Sequence, residues 1–231
     1  MGLSNWFKDL GMAGKAAVVV ASGVALTASA YGIYSLYNII NTNEPKVTKS
    51  DESDEEESIP EKKILVLGLD DAGKSVFLAA LAQPDSTTRA STQPTEGFNV
   101  VCLTTDGLNL NIWEIGGSQK YRDYWPNFIE DSSLLVYIID ASNPSRFEES
   151  NKVLHGLLSE PKLYGVPVLL VTSKNDLSQA RSLTEVTSAV KLQEVTKISG
   201  SKWSTVSVQV NSNGETDGFI EAKAKILGLC K

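Results

Sequence analysis

Cysteine is scarce: the 231 residues contain only Cys102 and Cys230. That excludes a disulfide-stapled scaffold. The single histidine, His155, leaves too few ligands for a Cys/His zinc site. It also leaves one candidate for any triad that needs an imidazole. A basic surplus is missing too, since 21 Lys and Arg face 28 Asp and Glu for a net charge of −7. General nucleic-acid binding through a basic surface is therefore excluded. The acid is concentrated. Between positions 44 and 60 seven acidic residues stand against Lys46 and Lys49, and the rest of the chain is close to balanced.

Charge is absent altogether from residues 16–43, a run of 28. About 20 apolar residues in a helix cross a bilayer core of roughly 30 Å. The pattern predicts a transmembrane helix over 16–40, after an N-terminal tail of residues 1–15. Tyr31, Tyr34 and Tyr37 cluster near one end of the run, where an interfacial aromatic belt is expected. A cleaved secretory signal is the rival reading. Ala28-Ser29-Ala30 has the small-x-small form of a cleavage site, and Lys8 and Lys15 precede the run. Ala17, Ala21, Ala25 and Ser29 share one helical face of the kind that lets membrane helices approach closely. Gly2 invites a myristoylation reading, but Trp6 stands where Ser or Thr is required. Residues 41–60, with the string SDESDEEES, are too polar to offset the entropy of ordering and read as an acidic disordered tether. Ser50, Ser53 and Ser58 lie beside acids there as candidate phosphorylation sites.

Residues 61–231 have the length of one ordinary domain. Short apolar runs at 63–68, 133–140, 166–173 and 205–210 alternate with helical patterns at 75–83, 146–158, 184–195 and 219–230. Fully apolar strands between helices imply an α/β fold, with a parallel sheet covered on both faces. Residues 99–103 and 108–115 flank Thr104-Thr105-Asp106-Gly107, a hairpin signal, so one edge is expected to be antiparallel.

Gly68-Leu69-Asp70-Asp71-Ala72-Gly73-Lys74-Ser75 fits GxxxxGK(S/T). Inward backbone N–H groups from Asp70 through Gly73, the start of the following helix and the Lys74 ammonium together can hold a polyphosphate. The Ser75 hydroxyl is placed to ligate Mg²⁺. The strand-like KILVL before the motif and the helix-like SVFLAALA after it supply the context that a P-loop NTPase needs. The motif alone does not separate ATP from GTP.

Three further strings follow in order: Pro94-Thr95-Glu96-Gly97-Phe98-Asn99, Trp113-Glu114-Ile115-Gly116-Gly117 and Thr172-Ser173-Lys174-Asn175-Asp176-Leu177. With the P-loop, they resemble the Arf-like family of small GTPases over residues 63–229. The predicted anchor, the tether and WEIGGSQ look most like divergent transmembrane members. The beta subunit of the signal recognition particle receptor, which also joins a membrane helix to an Arf-like domain, is the nearest rival. The resemblance implies a small G domain: a mostly parallel six-stranded sheet with one antiparallel edge strand and helices on both faces. It implies GTP/GDP and Mg²⁺ as cofactors. It implies that Thr95 closes on Mg²⁺ and the γ-phosphate in the GTP state, that Gly117 offers its N–H to the γ-phosphate, and that Lys174 packs its stem along the base. Asp176 would accept from the guanine N1–H and exocyclic amine, two donors that adenine does not present together. Thr95, Gly97, Phe98, Trp113 and Tyr124 or Trp125 would frame the nucleotide-sensitive surface, while Trp113 and Trp125 are equally readable as core aromatics.

The chain departs from the family at three positions. Glu114 replaces the Asp that holds Mg²⁺ through water, so its reach is one methylene longer. Ser173 replaces the Asn of the base motif. Ser118 replaces the water-orienting Gln, and Gln119 comes one residue too late. Because the water-positioning group is one of the working parts of phosphoryl transfer, GTP hydrolysis is expected to be slow or negligible. Gln209-Val210-Asn211, in the place of the loop that backs the guanine, matches poorly. A GTP switch needs cytosolic GTP, which favours the retained anchor over a cleaved signal and places the GTPase domain on the cytosolic side of a single-pass membrane protein. The expected function is a membrane-anchored GTP/GDP switch that recruits protein effectors, loaded by an exchange factor. The alternatives are a constitutively GTP-loaded scaffold and a receptor subunit resembling the signal recognition particle receptor beta subunit.

Overall fold

A computed structural model of the chain describes residues 59–82, 94–211 and 214–231. The expected membrane helix at 16–40, the N-terminal tail and the tether up to residue 58 lie outside the described residues. Among the described residues no helix is long and apolar enough to cross a membrane.

Strand β1, Glu61–Gly68, shows why the apolar runs fold as they do. Ile64, Leu65, Val66 and Leu67 are all fully buried, yet they point alternately to two different cores. Ile64 and Val66 meet Phe77, Leu78 and Leu81 of helix α1 (Lys74–Ala82) and Phe219, Ala222 and Ile226 of helix α6 (Phe219–Cys230). Leu65 and Leu67 meet Leu154, Leu157 and Leu158 of helix α3 (Phe147–Leu158). A strand covered on both faces must be apolar at every position, and each such side chain contributes about 1.5–3 kcal/mol of burial.

The other strands are β2 (Phe98–Thr105), β3 (Leu108–Ile115), β4 (Ser132–Asp140), β5 (Val168–Ser173) and β6 (Trp203–Ser207). Among the described residues they form one six-stranded sheet in the order β2-β3-β1-β4-β5-β6. All pairings are parallel except that of β2 with β3. This is the small G-domain fold, with its antiparallel pair at one edge. The β2–β3 connection turns on Asp106 (φ 50°) and Gly107 (φ 72°), with Thr105 opposite Leu108. Positive φ at both turn residues matches the strand twist, which explains the Asp-Gly signal. The chain leaves β1 to build β3 on one side and β4 on the other, so a crevice opens beyond the carboxyl end of β1. The P-loop lies there.

Two elements differ from the sequence expectation. The helix over 184–195 is two helices, α4 (Leu183–Ala189) and α5 (Leu192–Ser199). Lys191 between them is left-handed at φ 50°. The bend lets Val186, Val190 and Val195 all become fully buried, which a straight helix of this sequence would not achieve. A capping box between Ser182 and Glu185 starts α4. The strand over 205–210 stops at Ser207. Gln209–Val210 (β7) instead pairs antiparallel with Thr216–Asp217 (β8) in a separate hairpin that leads into α6.

Candidate functional site: a nucleotide cradle

Lys74 opens α1 and is 5% exposed. Its ammonium donates to the carbonyls of Gly68 (3.1 Å) and Leu69 (2.8 Å) and so spans the loop it belongs to. Burial pushes its pKa down to about 8, against the opposing pull of Glu114 and Asp70. An ammonium so poorly compensated is ready for phosphate.

Beside it, three oxygens from distant positions converge. Ser75 Oγ lies 2.9 Å from Thr95 Oγ1. Both hydroxyls donate to Glu114 Oε1, at 2.5 and 2.9 Å. The other carboxylate oxygen accepts from Asn99 Nδ2 at 2.9 Å. Glu114 is fully buried near the end of β3, and its side chain accepts from both hydroxyls directly. Two hydroxyls and a carboxylate oxygen are hard donors that fit Mg²⁺. Among the described residues no group of three His, Cys, Asp or Glu could hold a metal.

The far side of the loop is built from β4 and β5. Ser173 Oγ donates to Ala72 O at 2.7 Å, a direct tie from the base motif to the P-loop. The Ser at this position thus reaches the loop through its short side chain. Lys174, left-handed at φ 57°, pairs with Asp140 (2.9 Å) and Asp71 (3.1 Å). Burial works against its charge, but hydrogen bonds and attraction from those two carboxylates outweigh it and raise its pKa. Asn175 donates to Thr172 O (2.8 Å) and Val208 O (2.9 Å), tying β5 to the segment after β6. Asp176 is exposed, and its carboxylate has no hydrogen-bond or ion-pair partner among the described residues. It is left open to an incoming donor pair.

The segment after β3 closes over the loop. Gly116 N–H donates to Gly97 O at 2.8 Å. Gly117 sits so near the loop that a Cβ there would lie 2.3 Å from Gly68 O and 2.5 Å from Lys74 Nζ. Arg122, in the short helix α2 (Gln119–Arg122), donates to Gly117 O at 2.7 Å. It also pairs with Glu149 (2.8 Å) and Asp70 (3.3 Å). Arg146 completes the network on Asp70 (2.8 Å) and Glu149 (3.0 Å). Burial opposes the Asp70 charge, yet the bonds and charge of Arg146, with the charge of Arg122, hold its carboxyl below the usual range. Ser118 Oγ is buried without a hydrogen-bond partner, and Gln119 is exposed.

Of the residues expected from sequence, Asp71, Ala72, Gly73, Lys74, Ser75, Thr95, Glu114, Gly117, Ser173 and Lys174 come together in one cradle, with Asp70 braced at its rim. The Ser118 hydroxyl and the Asp176 carboxylate have no hydrogen-bond partner among the described residues. Trp125 is a core residue, 2% exposed, whose indole donates to Gly116 O at 3.0 Å. Trp113 is half-buried and stacks on Phe98 at 5.7 Å, with Phe128 against both, while Tyr124 is exposed. The sequence reading missed Arg122, Arg146, Glu149, Asp140, Asn99 and Asn175. Asn99 and Asn175 lie inside the quoted strings and were findable. The arginines meet Asp70 from 52 and 76 residues away, with no local signal.

The sequence profile of the ADP-ribosylation factor family matches residues 52–227. ADP-ribosylation factor-like protein 3 of Chlamydomonas reinhardtii is 44% identical over 135 residues, 58% of this chain and 75% of that protein. ADP-ribosylation factor-like protein 9 of Homo sapiens is 37% identical over 134 residues, 58% of this chain and 70% of that protein. Among solved structures, the Arl6 (BBS3) small GTPase of Trypanosoma brucei with bound GppNp superposes with a TM-score of 0.64 at 16% identity, covering 74% of this chain and 97% of that one. That likeness is one of fold. The chain belongs to the ADP-ribosylation factor family and is an Arf-like small GTP-binding protein.

Proposed function

We propose that the chain is a membrane-anchored guanine-nucleotide switch that recruits protein partners in its GTP form and hydrolyses GTP slowly or not at all. The observation that carries this reading is the convergence of Ser75, Thr95 and Glu114 beside the P-loop. That is the arrangement a γ-phosphate and its cation favour, and its loss on hydrolysis is what releases such loops. Lys74 and the loop amides would hold the phosphates, and Asp176 would select guanine. Ser75, Thr95 and Glu114 would hold Mg²⁺, which supplies neutralisation of phosphate charge when bound. Ser118 supports the slow chemistry, because its short side chain is buried in the place of the group that would orient water. The uncharged run at 16–40 supports the anchor, and the need for cytosolic GTP supports a cytosol-facing domain.

The scaffold reading has one observation of its own. Gly117 is braced on the loop by Arg122, which is itself held by Asp70 and Glu149. That brace would keep the loop closed whatever the nucleotide. Identification of the nucleotide that copurifies with the full chain, followed by single-turnover GTP hydrolysis, tests both. Exchangeable GDP and nucleotide-dependent partner capture are expected. Trapped GTP that resists exchange favours the scaffold, and no guanine-nucleotide affinity in Mg²⁺ overturns both. Ser118→Gln is expected to raise the single-turnover rate at least tenfold. An unchanged rate would move the defect away from Ser118.

A further inference from the structure

Ser173 and Asn175 stand two residues apart in the base motif and are tied in opposite directions. A serine hydroxyl has one hydrogen to give. Ser173 gives it toward the phosphate side, to Ala72 O at 2.7 Å, with Ile139 O of β4 at 3.3 Å. It has no donor left for the segment after β6. A carboxamide nitrogen carries two hydrogens. Asn175 Nδ2 lies 2.8 Å from Thr172 O and 2.9 Å from Val208 O, so it bridges the end of β5 to that segment. The backbone pairing of β5 with β6 ends at Thr172 and Ser207. The hydroxyls of those two residues bond at 2.9 Å, and Val208 N–H donates to Thr172 O at 2.8 Å. Asn175 adds one more rung beyond the ladder, made by a side chain. The rung adjoins Asp176. Leu177 N–H donates to Lys174 O at 3.2 Å and closes a turn with Asn175 and Asp176 at its centre. Lys174 is drawn away to Asp140 and Asp71. On the other side of the rung, Val208 leads into Gln209–Val210, which pairs with Thr216–Asp217, and Asn211 N–H is taken by Glu215 O at 2.8 Å.

Resting on the reading that Asp176 selects guanine, we infer that Asn175 is the positioning residue of that selection. Its amide holds the Asp176 turn at a fixed place against residues 208–211. A carboxylate held in place offers its two oxygens to the guanine N1–H and exocyclic amine together. A base that lacks the amine then leaves one oxygen desolvated and unpaired, which costs more than the lost bond alone. A carboxylate free to shift lets water replace the missing donor, and the two bases bind more equally. Asn175 therefore acts on discrimination between bases more than on grip. The phosphates are held elsewhere, by Lys74 and the loop that Ser173 braces.

The test uses the full chain in Mg²⁺ and measures displacement of N-methylanthraniloyl-GDP by GDP and by inosine 5′-diphosphate. Inosine keeps the N1–H and lacks the exocyclic amine. The unaltered chain is expected to prefer GDP. In Asn175→Ala the ratio of the two affinities is expected to fall about tenfold, while affinity for inosine diphosphate changes less than about threefold. Asn175→Ser keeps one donor on a shorter stem and is expected to lie between the two, and it carries the same comparison if Asn175→Ala does not fold. A role in holding the fold alone would weaken both nucleotides by the same factor. An unchanged ratio in the variants therefore overturns the inference and leaves Asp176 as the selector. An unaltered chain that binds both diphosphates equally overturns the Asp176 reading itself, and the inference with it.

Discussion

Lys74 carries a measurable consequence of its burial. With its pKa pushed down to about 8, about half of the nucleotide-free molecules carry a neutral amine at pH 8. A polyphosphate favours the ammonium, so binding of GDP at pH 8 is expected to take up about half a proton. Affinity then falls above pH 8, approaching tenfold per pH unit. Calorimetry in buffers of different ionisation enthalpy reads the uptake, and none would mean that Lys74 is fully charged before the ligand arrives. The sign for folding is opposite. The unfolded chain keeps this proton up to about its ordinary 10.5, so between about 8 and 10.5 it binds more protons than the folded state. Over that window the nucleotide-free fold gains stability from Lys74 as pH rises. At this scale legibility depended on sequence distance. Lys74 and Ser75 sit in an eight-residue string whose spacing is its own evidence. The hydrogen bond from Ser173 to Ala72 spans 101 residues, and only the fold brings the two together.

On the switch reading, the closing segment after β3 is the element on which switching would depend, and Gly117 is where it rests closely on the loop. Gly117→Ala places a methyl 2.3 Å from Gly68 O and 2.4 Å from the Leu69 carbonyl carbon, both backbone atoms. Backbone cannot rotate out of the way as a side-chain tip can, so the segment itself must lift. Gly117 O then leaves Arg122, and the bracing of α2 on Asp70 and Glu149 weakens. The expected outcome is faster amide hydrogen exchange over residues 116–122 and a GTP-over-GDP preference reduced about tenfold, with exchange in the β4–β5 core unchanged. Unaltered exchange over 116–122 would show that the segment does not rest on the loop. The elements themselves differ in how far the sequence disclosed them. β1, β4 and β5 are apolar throughout because both faces are covered, and the Asp106-Gly107 turn announces its own geometry. The break between α4 and α5 announces nothing. Its left-handed residue is Lys191, without Gly or Pro, and the bend arises from the need to bury Val186, Val190 and Val195 together.

On the scale of the whole molecule, the proposed anchor changes what a nucleotide cycle can do. A protein held by an amphipathic helix lying in the interface can leave the membrane reversibly. A chain held by the proposed helix over 16–40 would have no such option, because withdrawing that span into water would expose apolar surface at about 25 cal/mol per Å². On that proposal, the acidic block between positions 44 and 60 would add a second constraint, because anionic headgroups would repel it within about a Debye length. The nucleotide state would then alter partner choice and leave location unchanged. The expected result is that the full chain stays in the membrane pellet through alkaline carbonate extraction, equally when loaded with GDP or with guanosine 5′-(β,γ-imido)triphosphate. A chain lacking residues 1–40 should appear in the supernatant in both states. Protease added to intact, cytosol-facing membranes should digest the G domain. Release of the full chain by carbonate would rule out a spanning helix. Release in the GDP state alone would point to reversible attachment, and protection of the G domain from protease would put it on the wrong side of the membrane for a GTP switch.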